Sequence, residues 1–210
     1  MSDGGTLGID PGMNSGAVVW LEADRKTVRM WWVWLKMKPR KDGRIVWRLK
    51  TLAGDMDCAC LGEVLHTIRH AIDIDQFGTD AALGFAALSI EGLFVADRKP
   101  SKKNPLAGAL AVQSVLMTAE SVGEIRHALR GLSSVEHRPT SSTWRPQAAG
   151  IPARTDAAIA EALAIQYARA LFTWPMHGQK LTKAEKGAIA EAAFIGKWAQ
   201  DQEAMRCRKS

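Results

Sequence analysis

Apolar residues in this chain change their spacing several times, and each change marks an element. Thr6 to Leu21 is an apolar run split by Pro11-Gly12-Met13-Asn14-Ser15-Gly16, loop chemistry that suits a tight hairpin between two strands. Val28 to Met37 is aromatic and β-branched, which predicts a strand. Its alternation sends Trp32 and Trp34 to one face and Trp31 to the other. Lys38 to Gly43 reads as a basic turn, and Arg44 to Leu49 as a further strand. Leu61, Val64, Leu65, Ile68 and Ile72 then recur at helical spacing within Asp57 to Ile72. A turn at Gly78-Thr79 leads to Ala87–Val95, a short apolar run that reads as a buried parallel strand.

Beyond it lie a basic loop, Arg98 to Asn104, a long helix from Pro105 to Ala128 and a short strand at Val135 to Arg138. Thr155 or Asp156 is placed to cap a helix running to Phe172, and a last helix is expected from Thr182 to Ala199. Strands first, then strands alternating with helices, predict an α/β fold. Its mixed central sheet has three antiparallel strands followed by parallel ones, flanked by helices. No repeat or linker divides the chain, so one domain over residues 1–204 with a basic tail at 205–210 is expected.

Composition narrows the partners. A formal charge of +6 and an isoelectric point of about 9.4 suit a polyanion such as nucleic acid. The three cysteines, Cys58, Cys60 and Cys207, make no disulfide framework, and none has zinc-ligand spacing with a histidine, so reduced thiols in the cytoplasm are expected. His66 and His70 stand four apart on a helix without a third ligand, and His127, His137 and His177 show no ligand spacing. Neither a leader nor a run of about 20 apolar residues is present, so no membrane partner is expected.

Three acids stand where acids are costly. Asp10 ends an apolar strand in Leu7-Gly8-Ile9-Asp10-Pro11-Gly12, and the glycines let a ligand or another backbone approach. Glu91 interrupts another apolar run, and Glu191 lies among Ala188, Ala192 and Ile195 on the last helix. Asp10 also reads as a plain turn aspartate, and Glu191 as an ordinary helix carboxylate. A divalent metal gives all three a shared reason, since hard cations take oxygen ligands and keep several waters.

Gly8-Ile9-Asp10-Pro11-Gly12, Ile90-Glu91-Gly92-Leu93-Phe94 and the Ala-rich helix bearing Glu191 follow the order and approximate spacing of the RuvC family of Holliday-junction resolvases, which this chain resembles. Asn104 to Ala119 and Ser142-Thr143-Trp144-Arg145 through Gly150 continue the likeness. The resemblance implies an RNase H-like fold, a homodimer, and a magnesium-dependent endonuclease cutting branched DNA in a bacterial cell, from a cellular or a phage gene. Two Mg²⁺ ions per site, replaceable by Mn²⁺, would be held by Asp10, Glu91 and Glu191 as the catalytic acids.

Arg98, Lys99, Lys102, Lys103, Arg145 and Arg154 are the candidate phosphate contacts, and Phe94 the candidate base-stacking residue. The basic loop also reads as a solvated surface and Phe94 as core. One position departs from the family pattern. The acid or histidine expected three residues before Glu191 is Ala188, and Glu185 lies roughly 9 Å along the helix axis from Glu191. Three carboxylates with waters, an inward-reaching Glu185, or a weakened enzyme are the options, and the first is expected. The rival functions are a structure-indifferent DNase of the same fold, an inactive DNA-binding relative, and an ATPase of the actin–hexokinase superfamily.

Overall fold

The computed structural model describes residues 5–12, 14–77, 85–92, 107–175 and 180–208. Its seven strands are β1 (Thr6–Asp10), β2 (Ser15–Leu21), β3 (Val28–Lys36), β4 (Trp47–Thr51), β5 (Asp55–Cys58), β6 (Ala87–Ile90) and β7 (Glu136–His137). They form one sheet in the order β5-β4-β3-β2-β1-β6-β7. From β1 to β5 every pairing is antiparallel, while β6 and β7 join in parallel. A meander on one side of β1 and parallel strands on the other make a mixed central sheet, so the expected α/β class holds.

The antiparallel half is larger than the pattern predicted. Residues expected to open a helix at Asp57 instead form β5, an exposed edge strand whose sequence, Asp-Met-Asp-Cys, carries no apolar alternation. Its ladder with β4 and the pairs that Asp57 makes with Arg40 and Arg48 hold it there. Helix α1 accordingly begins at Leu61 and runs to Phe77.

Helices cover both faces. Behind one face lie α1 and α2 (Ala107–Ala128), where Leu7, Ile9, Trp32, Trp34, Leu88 and Ile90 meet Leu65, Ile68 and Ile125. On the other, Ala17, Val19, Trp31 and Val33 pack against α4 (Ala157–Leu171) and α5 (Lys183–Cys207). The alternation read for the tryptophans is therefore realised, with helices covering both sets.

Asp156 caps α4 by accepting from the backbone N–H groups of Ala158 and Ile159. Thr182 and Glu185 form a capping box at the start of α5. That helix continues past the expected end at Ala199, through Met205, to Cys207, because Glu203 pairs with His137 of β7 at 2.8 Å and anchors its last turns. Between β7 and α4 the pattern predicted no helix. A short α3 (Ser141–Trp144) is found there, running into a π-helical turn, Arg145–Ala149. Pro146 has no N–H for Ser142, so the α pattern stops and wider bonds to the Arg145 carbonyl replace it. Gly150 closes the turn at φ 68°, a left-handed conformation that favours glycine.

Candidate metal centre

Strand register alone places two of the acids together. Ile9 of β1 pairs with Ile90 of β6, and the Glu91 N–H donates to the Ile9 carbonyl at 3.0 Å. Asp10 and Glu91 therefore follow one another's strand ends in step, both turned from the α1–α2 face that Ile9 and Ile90 fill. On the opposite face lies α5, which reaches the strand only because Gly8 has no side chain. A Cβ there would collide with the Ala192 carbonyl and stand 2.5 Å from the Gly196 nitrogen. Backbone thus rests on backbone, one helical turn from Glu191. The close approach expected of Gly8 is to this helix.

The result is a group of three half-buried carboxylates, Asp10, Glu91 and Glu191, with one oxygen of each within 4.8 Å of the others. Burial raises the Asp10 pKa well above its ordinary value, and the charges of Glu191 and Glu91 raise it further. Glu91 is pushed up to about 7, first by burial and then by Glu191. Glu191 is raised by burial, with Arg145 opposing the shift and Glu161 of α4 adding to it. Three like charges in one pocket repel each other, and their donor atoms are all hard oxygens. Such a set fits a divalent cation of the magnesium or manganese kind.

Protein donors engage each acid. The Gly12 backbone N–H donates to Asp10. The Trp144 indole Nε1 donates to Oε1 of Glu91 at 3.1 Å. Arg145 donates through a terminal guanidinium nitrogen to Oε1 of Glu191 at 3.0 Å. Trp144 is a residue that sequence reasoning quoted without assigning a role. The available signal was its apolar body with a polar tip, since a buried indole N–H usually finds an acceptor.

Glu185, one option for the fourth acid, does not join the group. Its carboxylate accepts from Lys50 Nζ at 3.0 Å and from the Thr182 backbone N–H at 2.6 Å. Ala188, three residues before Glu191, is buried against the sheet. Of the candidate phosphate contacts, Arg145 is within the site and Arg154 is exposed in the turn ahead of α4. Phe94, Arg98, Lys99, Lys102 and Lys103 lie outside the described residues, as does the predicted end of the strand at Val95. His137 is held by Glu203 and stacks edge-on to Trp198, so it ligates nothing here. Cys58, Cys60 and Cys207 form no disulfide. No described helix is long and apolar enough to cross a membrane.

No protein-family profile matches the chain, and no curated protein sequence matches it. Solved structures are similar to it in chain path. Thermus thermophilus RuvC is 12% identical, with 94% of this chain and 96% of that one covered at a TM-score of 0.45. The yeast mitochondrial Holliday junction resolvase is 10% identical over 97% of this chain and 81% of its own, at 0.44. Thermus thermophilus RuvC in complex with a Holliday junction substrate gives 12% identity, 95% coverage of both chains and 0.41. The carboxylate group is defined by its own register, distances and burial, independently of these likenesses.

Proposed function

We propose that this chain is a magnesium-dependent endonuclease that cuts branched DNA, with Asp10, Glu91 and Glu191 holding two Mg²⁺ ions, for which Mn²⁺ substitutes. The observation that carries the reading is the meeting of three carboxylates from β1, β6 and α5, one oxygen of each within 4.8 Å of the others. Bound there, the cation would stabilise charge on the phosphate and lower the pKa of a coordinated water. Water would add to phosphorus as the P–O3′ bond breaks, leaving a 5′-phosphate and a 3′-hydroxyl.

The chain's own groups do the rest. Asp10 and Glu91, fixed by strand register, and Glu191, fixed by the Gly8 contact, form a preset anionic pocket. Arg145 balances part of that charge, and its buried Nε has no acceptor among the described residues. Arg98, Lys99, Lys102, Lys103 and Arg154 would bind flanking phosphates and Phe94 would stack on an unpaired base. The ordered motifs, rather than the site geometry, support a four-way junction as substrate and a cytoplasmic homodimer as the cutting unit.

The test is cleavage of a four-way junction against a linear duplex of the same sequence in Mg²⁺, using wild type and Glu191→Gln. Symmetric nicks confined to the junction, lost in the variant, are expected. Equal cutting of both substrates would instead establish the structure-indifferent nuclease. Ala188 gives the inactive DNA-binding relative its one supporting observation, and junction binding unaffected by Mg²⁺ with no cutting would establish that reading.

A further inference from the structure

Trp144 sits in the core with no exposed surface, and shape alone would account for it. Its hydrogen bond is the unexpected part. Among the described residues, the buried indole N–H groups of Trp20 and Trp34 have no acceptor, while the half-buried Trp174 and Trp198 donate to a backbone carbonyl and a side-chain amide. Trp144 spends its single donor on the carboxylate of Glu91. An indole has no acceptor, so this bond favours the ionised acid and opposes the burial that pushes Glu91 the other way.

Its position is set by construction rather than by packing alone. The Gly92 N–H donates to the Pro139 carbonyl at 2.7 Å, tying the end of β6 to the segment that leads into α3. The chain widens at Arg145 into the π turn immediately after Trp144. Two consecutive side chains are thereby delivered to two different acids, Trp144 to Glu91 and Arg145 to Glu191, with the guanidinium 5.4 Å from the indole centroid. One oxygen of each glutamate accepts from a donor.

We propose that Trp144 is a positioning residue of the metal centre. By holding Oε1 of Glu91 it fixes the carboxylate's rotation and presents Oε2 to the ion, an inference that rests on the metal-site reading above. Partners that orient ligating carboxylates typically change metal affinity by about 10–100-fold when removed.

Trp144→Phe keeps most of the ring and deletes the donor. Titration with Mn²⁺ alone, with no DNA present, is expected to show affinity about 10–100-fold below wild type. A merely structural Trp144 would lower the thermal midpoint and leave that affinity unchanged, which overturns the inference but not the metal site. Failure of wild type to bind Mn²⁺ overturns both. Should the phenylalanine variant not fold, the indole N–H resonances of ¹⁵N-tryptophan-labelled protein give the answer with Trp144 in place. One resonance should move in Glu91→Gln and on adding diamagnetic Mg²⁺ to wild type, and indoles indifferent to Glu91→Gln refute the proposal.

Discussion

Glu185 and Glu191 stand on the same helix, both turned into the protein, and their surroundings have opposite characters. Glu185 is 2% exposed, yet its pKa lies below the ordinary value. Burial works against it, but the Thr182 backbone N–H, the Lys50 ammonium and the Thr182 side chain outweigh that effect. Glu191 meets Arg145 and also the other two acids of its group, and its pKa is raised. Burial is therefore not what separates the lowered pKa of Glu185 from the raised one of Glu191. Charge balance is: the first is neutralised by Lys50, and the second shares Arg145 with two further acids, which leaves its group with an excess of negative charge.

The largest effect that tests this contrast is on cleavage. Asp10→Asn should lower junction cutting in Mg²⁺ by at least about 100-fold, since loss of a ligand exceeds loss of a ligand's supporting partner. Junction binding should survive, and without metal the variant should melt higher than wild type because one repelling charge is gone. Wild-type cutting rates in a quantitative gel assay would remove Asp10 from the site.

At the balanced end, Lys50→Ala leaves Glu185 buried without its cation. A loss of about 3–5 kcal/mol in urea unfolding is expected. Retention of wild-type stability would make Glu185 as tolerant of isolation as Glu191 and erase the distinction.

Addition of Mg²⁺ should sharpen it further. At about 100 times its dissociation constant the ion should stabilise wild type by about 2.7 kcal/mol, and should do little for Asp10→Asn. Calorimetric midpoints with and without Mg²⁺ measure this directly.

Acidity should separate the two acids by sign. In metal-free protein Glu91 titrates near 7, above the ordinary 4.5, so its stabilising contribution is complete below the ordinary value and fades as pH rises through about 7. Glu185 is shifted down, so its contribution is present above the ordinary value and fades only as pH falls through its lowered one. Metal-free wild type should accordingly lose stability between about pH 4.5 and 7, and Glu91→Gln should flatten that slope. A midpoint that is level across this window in wild type would contradict the raised value.

Much of this is legible in the sequence. Asp10 and Glu91 stood out because an ionised side chain in an apolar strand demands a reason. Glu191 stood out because its helical neighbours are apolar. Their partners were hidden for physical causes. Lys50 lies 135 residues from Glu185, and nothing local announces the pair. Trp144 and Arg145 acquire their directions from a π turn that Pro146 imposes, a geometry outside the 3.6-residue period on which pattern reading relies. β5 escaped because a polar edge strand is held by its neighbour's ladder and not by its own alternation.

The contact between Gly8 and Gly196 has a temporal consequence. Backbone resting on backbone has no rotamers to sample, so β1 and α5 cannot separate by degrees; they part only when the sheet's own cooperative unit opens. Amide protons along Leu7 to Ile9 and Ala192 to Gly196 should then exchange with solvent on the slowest clock in the molecule. The spacing of Asp10 and Glu191 would be refreshed only as often as the whole protein unfolds.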